Sequence, residues 1–78
     1  MPRYYFHLHD DGEALDEEGR EFADTDAARA EAIRSVRDLM AEDVKQGKLT
    51  LSHWIGVHDQ SGHRVFSVRF REAVEFRD

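Results

Sequence analysis

Three histidines are spaced so that they could hold a metal ion or move a proton. His7 and His9 stand two residues apart in Arg3-Tyr4-Tyr5-Phe6-His7-Leu8-His9, and His58 follows Ile55-Gly56-Val57 in a second apolar stretch. Side chains alternate along an extended strand, so His7 and His9 share one face, and a neighbouring strand can bring His58 to it. Three neutral imidazoles suit Zn²⁺ or Ni²⁺. Here the spacing fixes only two of them, and no acid is evidently placed to orient the rings. Neither a bound metal nor any other cofactor is expected.

Other chemistries find less support. There is no cysteine and hence no thiol nucleophile, and neither G-x-S-x-G, G-x-G-x-x-G nor a phosphate-binding loop occurs. Ser52 and Ser67 lie near histidines only in a generic way. The acidic stretch from His9 to Gly19 lacks the ligand spacing of a calcium loop and follows a strand rather than a helix. Its carboxylates crowd a hairpin tip that should be well solvated, a poor setting for paired-carboxylate catalysis. The chain therefore reads as non-enzymatic; the alternative is a metal- or small-ligand-dependent enzyme that uses the histidine face.

The elements that must position these residues follow from two periodicities. Tyr4, Phe6 and Leu8 alternate with Tyr5, His7 and His9, and Asp10-Asp11-Gly12 supplies turn chemistry. A weaker second strand starts at Glu13-Ala14-Leu15, is interrupted at Asp16-Glu17-Glu18-Gly19, and resumes at Arg20-Glu21-Phe22. Its charge guards an edge. Ala28, Ala32, Val36, Met40 and Val44 recur every four residues, with Ile33 and Leu39 beside them, as one apolar stripe of a helix between Asp24 and Gly47. Asp24 is the expected N-cap and Gly47 the left-handed end. Two further strands, about Ser52 to Asp59 and His63 to Arg71, flank the turn Asp59-Gln60-Ser61-Gly62.

Residues 1–78 thus form a single small α+β domain of order β-β-α-β-β, a four-stranded antiparallel sheet with one long helix packed on one face. The expected spatial order is 2-1-3-4. The expected core is Tyr4, Phe6, Leu8, Ile33, Val36, Met40, Val57, Phe66, Val68 and Phe70. The opposite face then carries Tyr5, His7, His9, Trp54, His58, Val65, Ser67 and Arg69. One helix cannot cover both faces of a sheet. A wet face is ordinary in antiparallel sheets, but Trp, Tyr and Val among histidines make this face a candidate contact surface.

Composition agrees with such a role. A chain of 78 residues buries only about 60% of its unfolded surface, and without disulfides self-association is the natural supplement. The net charge of −6 argues against nucleic acid, although Tyr5, Trp54 and Arg69 would be the residues to stack and pair with a single strand. The charge is also unevenly distributed. Asp10, Asp11, Glu13, Asp16, Glu17, Glu18, Glu21 and Asp24 crowd the first hairpin, whereas Lys45, Lys48, Arg64, Arg69 and Arg71 dominate the second. This division solubilises both ends, and it also forms complementary surfaces able to orient a partner or a second subunit. No secretory leader or apolar span is evident, so a cytoplasmic protein is expected, with no membrane partner.

Nearly the whole chain resembles a family of short, uncharacterised bacterial proteins termed a domain of unknown function. The segments concerned are Arg3-Tyr4-Tyr5-Phe6-His7, Leu15-Asp16-Glu17-Glu18-Gly19, residues 24–32, Val57-His58-Asp59-Gln60-Ser61-Gly62 and residues 68–73. The resemblance implies a stand-alone α+β protein and no catalytic residue. The acidic hairpin leading into Asp24-Thr25-Asp26-Ala27-Ala28 is also similar to the antitoxin half of toxin–antitoxin pairs. The chain departs from that pattern in lacking a Pro-Gly-Cys-like turn and a DNA-binding segment. Toxin neutralisation is the further alternative to a self-associating interaction or regulatory module.

Overall fold

The computed structural model describes all 78 residues. Strand β1 (Arg3–His9) is followed by two short strands, β2 (Glu13–Ala14) and β3 (Arg20–Glu21). Helix α1 (Thr25–Lys45) comes next, then β4 (Trp54–His58), β5 (Arg64–Arg69) and a 3₁₀ turn at Phe70–Glu72. The sheet is antiparallel, with β1 and β4 central and β5 at one edge; β2 and β3 both pair with β1 along the other edge. There are thus five strands rather than the expected four.

The split between β2 and β3 has one cause. Asp16 turns its carboxylate into the gap and accepts N–H bonds from Phe6 of β1 (3.1 Å), Glu18 (3.2 Å) and Gly19 (3.0 Å). A side chain does there what a strand backbone would otherwise do. Gly19 turns the chain back with φ +67°, and a Cβ there would lie 2.9 Å from both Tyr4 O and the Tyr5 ring. An L side chain is strained in that conformation, and this site has no room for one.

The helix ends follow local chemistry. Asp24 Oδ1 accepts the Ala27 N–H at 2.8 Å. At the other end Gly47 N–H bonds Val44 O (2.9 Å) and Lys48 N–H bonds Asp43 O (3.1 Å), the paired bonds of a Schellman motif. Ala28, Ala32, Val36 and Met40 are buried. They pack on β4, β5 and the 3₁₀ turn, against Ile55, Val57, Val68, Phe70 and Ala73.

Because the helix lies over the β4–β5 side, Phe6 and Leu8 of β1 are only partly buried. Phe22 screens this flank, its ring centroid 6.2 Å from that of Tyr4 and 5.7 Å from that of Phe6. Ile33 and Phe66, also expected in the core, sit at its margin, and the Arg29 guanidinium lies 4.4 Å from the Phe66 ring centroid. The small residues Ala28, Ala32 and Ala73 take the central places because they let the helix and tail approach closely. The tail is held by Arg37, whose Nε donates to Ala73 O at 2.7 Å.

Candidate functional site: the helix-free sheet face

Strand register decides which side chains meet on the open face. Tyr5 pairs with His58, His7 with Gly56 and His9 with Trp54 across β1 and β4. On the other side of β4, Trp54 pairs with Arg69 and Gly56 with Ser67. Because His9 also pairs with Glu13 of β2, one row crosses the whole sheet: Glu13, His9, Trp54, Arg69. An acid, an imidazole, an indole and a guanidinium follow one another from edge to edge.

The face packs against itself. The His9 and Trp54 rings stack at 3.9 Å with 12° between planes. Gly56 makes this possible, since a Cβ at that position would lie 2.9 Å from Trp54 Cζ3. The Arg64 guanidinium lies 5.4 Å from the indole centroid. Arg64 arrives there because the β4–β5 ladder shifts register between Val57 and His58, leaving Arg64 opposite His58. Val65, expected on this face, instead lines a cleft with Tyr4, Thr25 and Asp59. The bulge moves it away from Trp54, and Arg64 replaces it.

His7 and His58 form an edge-to-face pair with centroids 4.8 Å apart. The Asp16 N–H donates to His7 Nδ1 at 3.0 Å, so neutral His7 carries its proton on Nε2. His58 Nδ1 lies 3.1 Å from Gly62 O; a carbonyl only accepts, so Nδ1 is the protonated nitrogen of His58. Burial holds the His7 pKa below the ordinary imidazole value, helped by His58 and His9 and opposed by Asp16 and Glu13. Burial alone would raise the Asp16 carboxyl, but the N–H bonds from Gly19, Phe6 and Glu18, with His7 beside them, hold it below the usual range.

The imidazoles of His7, His9 and His58 share the face without converging as ligands. No group of three or more His, Asp or Glu side chains is placed to hold a metal ion. His9 Nδ1 faces Glu13 Oε1 at 3.4 Å, and the Nδ1 atoms of the other two are occupied by backbone groups.

Two clusters elsewhere were not evident from the sequence. In the β4–β5 loop Ser61 Oγ donates to Asp59 Oδ1 (2.7 Å) and lies 3.0 Å from His63 Nδ1. The hydroxyl proton goes to the carboxylate, so the imidazole donates to Ser61 rather than acting on it as a base. The Ser61 hydroxyl, with backbone N–H groups of His63 and Ser61, holds the Asp59 carboxyl below the usual range. The D-x-S-x-H spacing was the available signal. Near the start of β4, His53 Nε2 is buried without a hydrogen-bond partner, 3.5 Å from Asp11 Oδ1. Nothing in sequence spacing joins those two residues.

Charge divides the open face. Glu13 and Glu21 project from the β2/β3 edge beside His9 and Arg3, their directly opposed residues in β1. Arg64 and Arg69 rise from β5, and with Trp54 and Ser67 they line a shallow cleft. A second cleft joins Trp54 and Arg69 to Arg71, Leu51 and Ser52. No helix is long and apolar enough to cross a membrane. Comparison with curated proteins and with solved structures finds no significant match. The family comparison does find one over residues 3–71, which takes in every strand, the helix and both edges of the open face: the chain belongs to the family described as a domain of unknown function (DUF6894).

Proposed function

We propose that this domain is a non-enzymatic protein-interaction module that works through the helix-free face of its sheet and self-associates, with a dimer as the smallest unit. The observation that carries this reading is the Trp54 indole, stacked on His9 over the recess at Gly56 with no element above it. An indole ordered by its own neighbours loses little further side-chain freedom on binding. Catalysis by the histidines is less well supported, because they share no enclosed cavity with an acid.

Size sets the strength of such contact. Four strand positions across and about six residues along give roughly 20 Å by 20 Å, or near 400 Å² in projection. A standard interface takes about 800 Å² from each partner. Self-contact through the face alone therefore belongs at the weak, reversible end, with Kd on the order of micromolar or weaker. Light scattering across a concentration series tests this. The protein at pH 7.5 should move from monomer to dimer, and Trp54→Lys should stay monomeric. A wild-type chain that remains monomeric near millimolar concentration would refute self-association.

A further inference from the structure

We propose that the partner on this face is a second copy related by a two-fold axis parallel to the strands, so that the row Glu13-His9-Trp54-Arg69 of each protomer meets its own reverse. This rests on the self-association reading above and specifies its geometry. The four residues share one row by register. Two sheets packed face to face lie about 10 Å apart. A two-fold axis along the strands exchanges the edges of the sheet and preserves position along it. Glu13 then lies over the partner's Arg69, His9 over the partner's Trp54, and the two reciprocal contacts follow by symmetry. One pleat repeat from the Tyr5 row, Glu21 comes within reach of the partner's Arg64, an offset of about 7 Å that an arginine side chain spans.

Charge selects this arrangement over the other closed ones. A two-fold axis perpendicular to the strands, in the plane between the sheets, would lay the glutamate edge on a glutamate edge and the arginine edge on an arginine edge. Joining two β5 edges into a continuous sheet would gather Arg64 and Arg69 of both chains along one seam, where like charges oppose pairing. At the β2/β3 edge the Asp16 carboxylate already occupies the gap in the ladder. Only the edge-exchanging face-to-face dimer sets acid against base at both rims.

A charge exchange between two variants tests the geometry. In Arg64→Glu/Arg69→Glu both edges are acidic, and in Glu13→Arg/Glu21→Arg both are basic. Each variant alone should self-associate at least about tenfold more weakly than wild type, since like charges then face each other at both rims. The two mixed should form a heterodimer of roughly wild-type affinity that weakens with added salt. A second measurement reads proximity: with Glu13→Cys mixed with Arg69→Cys, in a protein without native cysteine, a bis-maleimide able to span the roughly 10 Å between packed sheets should link mainly the mixed dimer. Circular dichroism establishes that each variant is folded. If wild type never dimerises, the self-association reading itself fails. If wild type dimerises but the mixed pairs are not favoured by either assay, the face reading survives and the edge-exchanging geometry is overturned.

Discussion

The two faces of this sheet are built from alternate residues of the same strands, yet they are organised by different forces. Under the helix, Val57 and Val68 are almost wholly removed from solvent, packed in one cluster with Val36 of the helix and Phe70 of the 3₁₀ turn. On the open face Tyr5, His7, His9, Trp54 and His58 are half-buried, and what covers them is each other. The covered face holds the fold together by exclusion of water. The open face is ordered sideways, by stacking, by a glycine recess and by the hydrogen bonds around Asp16. The side chains on that face are thus ordered without any element covering them.

Substitutions on the covered side should have the largest effects. Phe70→Ala should destabilise the domain by about 3–5 kcal/mol, enough to leave much of so small a protein unfolded in a urea titration. Asp16→Ala comes next, at about 2–3 kcal/mol, because the half-buried Phe6 N–H and two loop N–H groups lose a charged acceptor. Unlike the core change, it should loosen the β1–β2–β3 edge first, seen as faster amide exchange at Phe6 and Gly19. Gly56→Ala should cost about 1–2 kcal/mol and displace the indole from His9, shifting tryptophan fluorescence to the red. Trp54→Lys should change monomer stability by about 1 kcal/mol or less while abolishing association. A Trp54→Lys variant as unstable as Phe70→Ala would show that the two faces are not distinct in role.

Acid sharpens the distinction by the smallest steps. His7 has a depressed pKa in the folded chain, so the unfolded chain binds the proton first. Stability attributable to it is complete above the ordinary value near 6.5 and declines as pH falls through and below that value. Asp16 is depressed relative to 3.8, so its contribution is present above that pH and is lost as pH falls through the still lower folded value. Between pH 7.5 and 5.5 the denaturation midpoint should therefore drop slightly, and self-association should loosen, because a proton on His7 places charge beside the His58 ring, 4.8 Å away, in a contact that excludes water. A pH-independent midpoint over that range would remove His7 from the account.

Much of this arrangement is legible in the sequence where local rules govern it. The Asp24 cap, the helix stripe and Gly47 follow from helix chemistry, and period two alone assigns Tyr5, His7, His9, Trp54, His58 and Arg69 to one face. What is not legible depends on partners distant in the chain. Asp16 looks like a turn residue, and only Phe6, ten positions away, shows that it stands in for a strand. The register shift at Val57/His58 exchanges Val65 for Arg64, a change of one residue that no alternating pattern encodes. The half-burial of Phe6 and Leu8 reflects which side of the sheet the helix crosses, and the stripe itself does not carry that information.

Contact on the open face can be followed through amide and indole resonances on dilution from about millimolar to micromolar protein at pH 7.5. The Trp54 indole N–H and the amides of His7, His9, Trp54 and Arg69 should shift together along one binding curve, while Arg34 and Asp38 on the outer face of the helix stay fixed. Shifts confined to the helix, or a Trp54 indole signal indifferent to concentration, would contradict it.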